Sequence, residues 1–328
     1  MRNIRFGFIG TNFISDSVAD AIKEMPFCSI GAVYSRAQET ADNFAKKHGI
    51  AHTFTDMEEF LSCGEIDAVY IASPNFLHAE QSIAALSHGL NVLCEKPFAS
   101  NEHEAKKVFS AAKKHKKVVL EAMRSVHDPA FSKIENAISL LGKIRRVSLE
   151  FCQYSSRYDS FKAGEIKNAF NPLLSNAAVM DIGVYPIELC IALFGMPKEI
   201  KSHSVILHNG MEGCGSAIFA YDDFSAEISY SKIADSINPS VITGEDASII
   251  IGKVSNPEVV YFCERSRAPI ALHRTDDNNI KYELAAFANA INGTLDTEKY
   301  EEYTISTMRA IDEIRRQNNI VFPADSTI

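Results

Sequence analysis

Paired cysteines are the first thing missing from this chain. Its seven cysteines (Cys28, Cys63, Cys94, Cys152, Cys190, Cys214 and Cys263) are odd in number and widely spaced, with no Cys-x-x-Cys pair and no clustered histidines. That pattern offers neither a disulfide framework nor a structural zinc site, so no metal is expected and the reduced cytosol is the natural compartment. Blocks of one charge are missing too. The 33 basic and 42 acidic residues are interspersed and leave a net charge of -9, which argues against a nucleic-acid partner or an anionic membrane surface. No apolar run reads as long enough to span a bilayer, and Ile4-Arg5-Phe6-Gly7-Phe8-Ile9 enters a strand pattern without a signal-peptide layout. Repeats and low-complexity tracts are also absent. What remains is a chain of 328 residues, 46% hydrophobic and 23% charged, with the balance of a soluble globular protein and too long for one ordinary domain.

The first half alternates strand and helix patterns, the signature of a parallel sheet covered by helices. After the first strand come Gly10-Thr11-Asn12-Phe13-Ile14-Ser15, and then Ile14, Val18, Ala21, Ile22 and Met25 recur at helical spacing. Strand, tight turn and helix form the opening of a dinucleotide-binding unit, whose usual Gly-x-Gly-x-x-Gly lets the backbone approach a pyrophosphate at the helix N-terminus. Only the first of those glycines is present. Asn12 stands at the second and Ser15 at the third; asparagine tolerates left-handed geometry and serine is small, so the turn remains feasible.

A second absence lies at the end of the next strand, Ile30 to Tyr34. An NAD-specific protein would place an acid there for the adenosine ribose, but the chain has Ser35-Arg36. Two readings are compatible: a hydroxyl and a guanidinium for the 2'-phosphate of NADP, or a Ser35/Gln38 capping box with Arg36 merely solvated. Further strand patterns end at Ser73-Pro74-Asn75 and at Cys94-Glu95-Lys96-Pro97, and Val118 to Ala122 completes six. Open parallel sheets bind ligands outside the carboxyl ends of their strands. Lys96 therefore reads as a cation held over the ligand crevice, with Glu95 steadying it. Asn75 suits a helix cap as well as a site loop. The basic run Lys113 to Lys117 falls at a helix end, where cations suit the exposed carbonyls.

In the second half, Asp128-Pro129 reads as an N-cap and first turn, and Gly142 as the stop, of a linking helix. Residues 155–172 form a stretch too long for an ordinary connection, either a lid or a disordered excursion. Asp181 and Tyr185 share a helix face if the helix runs through Gly183; Pro186 either kinks that helix or starts its second half. Period-two runs then follow at 146–151, 200–207, 216–221, 226–230, 248–251 and 259–262, which predict a mainly antiparallel sheet covered by helices on one face. Two terminal helices, near 282–291 and 303–317, are expected to brace the domains.

Five ordered pieces carry a family resemblance: Ile9-Gly10-Thr11, Ser73-Pro74-Asn75 with His78, Cys94-Glu95-Lys96-Pro97, Glu121-Ala122-Met123, and Met180-Asp181-Ile182-Gly183-Val184-Tyr185-Pro186. With them the chain resembles the glucose-fructose oxidoreductase, inositol dehydrogenase and rhizopine catabolism group, Gfo/Idh/MocA. Tyr185 places it nearest the dimeric dihydrodiol dehydrogenase and glucose-fructose oxidoreductase branches. It departs from the group's common pattern at Asn12, at Asn176-Ala177-Ala178, and at Arg124 and Val126. The expected fold is α/β: a Rossmann dinucleotide-binding domain over 1–123 and an α+β domain with a mainly antiparallel open sheet over 124–328.

The resemblance implies hydride transfer between NADP or NAD and a CH-OH group of a sugar, polyol or diol. Catalysis is expected from Lys96, Tyr185 and Asp181. Tyr185 would exchange the proton beside the Lys96 ammonium with Asp181 balancing the lysine, or Lys96 would carry the proton and Tyr185 position the substrate. Coenzyme contacts are expected from Gly10, Thr11, Asn12, Phe13, Ile14, Ser35, Arg36, Ser73, Pro74, Asn75, His78, Glu95 and Lys96, and substrate contacts from Arg124, His127, Arg157 and Tyr158. A homodimer or homotetramer through the C-terminal sheet is expected as well. A dinucleotide-binding regulator without turnover, or a sugar-binding module without coenzyme, remain the competing classes.

Overall fold

The computed structural model describes residues 3–275 and 278–327. The chain divides into two compact units: 1–122 with Ile280–Glu302, and Met123–Asn279 with 303–328. Residues 280–302, which the sequence reading assigns to the second domain, thus belong to the first unit. Their role is long-range packing, which no local pattern announces.

The first unit is a six-stranded parallel sheet in the order β3-β2-β1-β4-β5-β6. Its strands are β1 (Ile4–Ile9), β2 (Cys28–Tyr34), β3 (His52–Phe54), β4 (Ala68–Ile71), β5 (Asn91–Glu95) and β6 (Val119–Ala122), and the helices between them are α1 (Phe13–Lys23), α2 (Gln38–His48), α3 (Met57–Leu61), α4 (His78–Ser87) and α5 (Glu102–His115). Five of the strands fall where the apolar runs predict them, and β3 is a short edge strand at His52–Phe54. A parallel sheet is buried on both faces, so its central strands read as near-continuous apolar runs rather than alternating; β4 is buried at every residue, whereas the short edge strand β3 is not. On one face Phe8 packs against Tyr70 and Phe44, with ring centroids 5.2 and 5.6 Å away. The late helix α10 (Ile280–Ile291) joins this core through Ile280, Leu284 and Phe287, all at most 2% exposed, and Phe287 lies 5.9 Å from Phe6. Each such side chain contributes about 1.5–3 kcal/mol of burial, enough to fix the helix on the sheet.

The second unit contains α6 (Arg124–His127), α7 (Pro129–Ile138), β7 (Ile144–Cys152), α8 (Tyr158–Lys162), α9 (Val184–Phe194), seven further strands and most of α11 (Glu298–Gln317). The strands are β8 (Glu199–Ile206), β9 (Glu212–Ala220), β10 (Ser225–Ser231), β11 (Ser240–Gly244), β12 (Ala247–Ile251), β13 (Val259–Glu264) and β14 (Ile270–Arg274). Their order is β14-β13-β12-β11-β7-β10-β9-β8. Only β7 and β10 pair in parallel, so the sheet is mainly antiparallel, as the period-two runs imply. The linking helix also forms as read: Asp128 Oδ1 accepts from the Ala130 N–H at 2.8 Å, and Gly142 takes a positive φ of 70° after the last turn.

Two expectations need correction. Residues 155–172 are not an excursion: α8 and short 3-10 turns at Asn168–Phe170 and Pro172–Leu174 fold around a satellite core of Phe161, Phe170 and Met211. One stretch, Pro172–Phe194, is in fact long and apolar enough to cross a membrane by length and composition, but 72% of its most apolar 18-residue window is buried inside the fold.

Candidate active site

The first group of site residues gathers where the strand order of the parallel sheet reverses, between the carboxyl ends of β1 and β4. Gly10 leaves β1 with φ +104°, and a Cβ there would sit 2.6 Å from the Ala72 carbonyl oxygen, so only glycine closes this turn. Asn12, by contrast, is extended (φ -85°, ψ -178°), a conformation open to any residue. Its side chain does what a second glycine cannot: Oδ1 accepts from the Ile14 and Ser15 N–H groups, and Nδ2 donates to the Ala72 carbonyl at 2.8 Å. The missing glycine is therefore replaced by a cap that ties the turn to β4. Ser15, in the third glycine's place, is fully buried. Thr11 and Ile14 are half-buried and Phe13 is 68% exposed at the first turn of α1. Glycine turn, helix N-terminus and switch point together fit a dinucleotide pyrophosphate.

At the end of β2, the Ser35/Gln38 capping box does not form. The N-cap of α2 is Ala37, without a side-chain hydrogen bond, and Gln38 turns to Asp42 and Thr53. Arg36 is exposed, and among the described residues its guanidinium makes no ion pair. Asn75 likewise does not cap α4, whose N-cap is Leu77; it opens the 3-10 turn Asn75–Leu77 instead.

His78 is only 1% exposed, with Nδ1 2.8 Å from the Pro97 carbonyl and Nε2 2.9 Å from the Ser73 carbonyl. Burial pulls its imidazole below the ordinary histidine range, against the pull of those carbonyls. So enclosed, it joins the Ser73-Pro74 loop to the Lys96-Pro97 turn from within. Lys96 itself is half-buried just past β5, and the peptide to Pro97 is cis. Glu95 accepts from the Tyr70 hydroxyl at 2.7 Å, and Glu121 at the end of β6 accepts from the Phe98 N–H at 3.0 Å. Buried carboxylates thus hold the chain on either side of the Lys96-Pro97 turn.

The second group lies within the other unit. Residues Val179–Gly183 form a π-helical turn that runs into α9, and Pro186 is the third residue of α9, directly after this wide turn. The helix thus runs on through Gly183 and Pro186, with the departure from α geometry in the turn before the proline. Such wide turns are frequent at functional sites. Gly183 is required at this one: a Cβ would lie 2.9 Å from the Tyr230 ring. Beneath the turn Glu212, fully buried, accepts from the Val179 N–H at 2.7 Å, the Tyr230 hydroxyl at 3.0 Å and the Ser204 hydroxyl at 2.5 Å. Burial raises its carboxyl above the usual range despite these donors.

Tyr185 is buried, its ring edge-on to Phe151 at 5.5 Å, and Arg124 Nη2 is 3.4 Å from its hydroxyl. Asp181 Oδ2 is 2.8 Å from the ammonium of Lys232, so within this unit the carboxylate expected to balance Lys96 has a lysine that sequence reasoning missed. A signal for it existed: Ala226, Ile228 and Tyr230 are the inward positions of β10, and Lys232 is the next in phase. Of the expected substrate residues, Arg124 meets Tyr185 and His127 is half-buried on the same short helix, α6. Arg157 is exposed just before α8, and Tyr158 stacks on Phe161 and Phe170. All seven cysteines are unpaired thiols.

Comparison with known proteins agrees with the fold. The family model described as an oxidoreductase family with an NAD-binding Rossmann fold matches residues 4–123, and the Gfo/Idh/MocA C-terminal domain matches 137–250. The scyllo-inositol 2-dehydrogenase (NADP+) of Bacillus subtilis is 42% identical over 325 residues, covering 98% of this chain and 99% of that protein. A trans-1,2-dihydrobenzene-1,2-diol dehydrogenase of Danio rerio is 24% identical, covering 98% and 99%. Among solved structures, a 3-ketoreductase from Actinomadura kijaniata in complex with NADP and TDP-benzene superposes with a TM-score of 0.84 at 22% identity, covering 97% of this chain and 98% of that one. Matched in both halves and along nearly its whole length, the chain belongs to the Gfo/Idh/MocA family of oxidoreductases.

Proposed function

We propose that this chain is an NADP-dependent dehydrogenase of a neutral polyol, with inositols as the first class to try. It transfers hydride between a nicotinamide coenzyme and a CH-OH carbon, and the reverse reaction reduces the matching carbonyl. The observation that carries the reading is the setting of Tyr185: a phenol hydroxyl beside a guanidinium, four residues past an ion-paired carboxylate on a π turn. The inositol class is suggested by the end-to-end similarity to the Bacillus subtilis enzyme. The preference for NADP over NAD is suggested by Arg36, exposed at the end of β2 where no acid stands.

When bound, the coenzyme supplies the hydride acceptor. The proton is the protein's task. Tyr185 takes it from the alcohol oxygen in oxidation and returns it in reduction, and the Lys96 ammonium donates a hydrogen bond to that oxygen. Asp181 accepts from a neighbouring substrate hydroxyl, with its charge balanced by Lys232. Gly10, Asn12 and the first turn of α1 receive the pyrophosphate, and Ser35 and Arg36 the 2'-phosphate.

The test is coenzyme reduction followed at the nicotinamide absorbance, with NADP+ or NAD+ and a panel of inositols, acyclic polyols, aldoses and diols. Turnover with NADP+ and at least one cyclic polyol is expected. Coenzyme binding without turnover on any member would instead favour a regulator of the same fold.

The outward face of the large sheet carries Ile218, Val241, Ile250 and Tyr261 among Arg146, Ser216 and Ser229, with Ile218 44% exposed. We assign this face to a second copy of the chain, in a homodimer or tetramer; a monomer mass by sedimentation equilibrium would exclude it. Two of the seven thiols, Cys94 and Cys190, are fully buried, and burial pushes the latter up to about 12. Unpaired cysteines throughout suit the reducing cytosol.

A further inference from the structure

We infer that Lys232 is a positioning residue for the polyol site, resting on the reading of Asp181 and Tyr185 given above. It fastens the segment 155–170 to the carboxylate that receives the substrate. A lysine only 2% exposed is uncommon, because an ammonium removed from water must find an anion and hydrogen-bond acceptors in its place. Lys232 finds three partners: Asp181 Oδ2 at 2.8 Å, the Ala169 carbonyl at 2.7 Å, and the face of the Phe170 ring, 5.0 Å from its centroid. Its backbone is fixed just as firmly. The N–H donates to the Gly213 carbonyl and the carbonyl accepts from the Ser155 N–H, both at 2.9 Å.

One residue thus holds the segment at both ends, Ser155 through the main chain and Ala169 through the ammonium, and joins it to the π turn four residues before Tyr185. Asp181 keeps 35% of its side chain exposed while its countercharge is sealed in. The pair is electrically neutral, and it offers a substrate an oriented acceptor for a hydroxyl. The apolar floor of Phe161, Phe170 and Met211 alone would pack the segment without setting its position relative to Asp181.

The test uses the full chain as Lys232→Met, Asp181→Asn and the double variant, in which neither charge is left alone should the single lysine variant fold poorly. Hydrogen exchange is read by mass spectrometry on peptides from 158–176 and on β1 to β6 as an internal reference. Lys232→Met is expected to speed exchange at least tenfold in the former and leave the latter unchanged. It is also expected to raise KM for the polyol about tenfold with KM for the coenzyme unchanged, and the double variant should be no worse than Asp181→Asn alone, since residues that act as a unit are not additive. Unchanged exchange overturns the inference, as does faster exchange with an unaltered polyol KM. If the wild-type protein turns over no substrate, the functional reading has failed, and the exchange comparison still decides whether Lys232 holds the segment to Asp181.

Discussion

Tyr185→Phe lowers kcat by about 100- to 10,000-fold, the range lost when a positioned proton donor is removed, while NADPH binding is unchanged. The substitution is nearly silent for packing: the ring keeps its edge-on contact with Phe151, and the hydroxyl's contact with Arg124, at 3.4 Å, is long. A packed core tyrosine would therefore tolerate phenylalanine with little loss, so the kinetic result separates chemistry from structure. Lys96→Met is expected to cost a similar factor in kcat. If both residues serve one proton transfer, the double variant loses little more than the worse single one. A Tyr185→Phe enzyme that keeps more than about a tenth of the wild-type kcat would contradict the role, since a general acid-base contribution is larger than that.

Arg36→Ala weakens NADPH binding about ten- to hundredfold and leaves NADH binding where it was. The estimate follows from the 1.5–3 kcal/mol net worth of a hydrogen bond to a charged group, at about 1.4 kcal/mol per tenfold. Arg36 is well suited to this test. It is exposed, makes no ion pair among the described residues, and stands just ahead of α2, which does not use Ser35 as its cap, so its loss disturbs no fold contact. Fluorescence titration of both coenzymes with wild type and variant reads the effect. Equal weakening of NADPH and NADH would place the guanidinium on a part common to both, and no change would remove it from the coenzyme site.

How far the sequence led depended on whether a feature was local. Most of the parallel strands were legible because they are largely apolar runs, and α7 was legible because its cap, proline and stop lie at the expected offsets. The site turn at Gly10 was legible, but the fitness of Asn12 was not: it depends on Asn12 reaching the Ala72 carbonyl, sixty residues away in the chain. The helix near 282–291 was expected to brace the domains, but its place within the first unit, where Phe287 meets Phe6, was hidden by distance. His78 was read as a coenzyme contact because of its place in a site loop. Its burial between two carbonyls, set by the fold of the Pro97 turn, gives it a bracing contact that the sequence did not announce. Lys232 is the instructive omission. Period-two reading stops where apolar residues stop, and a lysine in phase with Ala226, Ile228 and Tyr230 looked like a strand end rather than the continuation of a buried face.

The central claim is that hydride passes between a polyol carbon and the coenzyme on this protein. The most direct test is incubation with NADP+ and a carbon-deuterated inositol, followed by mass spectrometry of the coenzyme. The account predicts NADPH carrying deuterium on the nicotinamide ring, formed by wild type and lost in Tyr185→Phe. Coenzyme that binds but stays oxidised and unlabelled, with inositols and with every other sugar, polyol and diol tried, would contradict it.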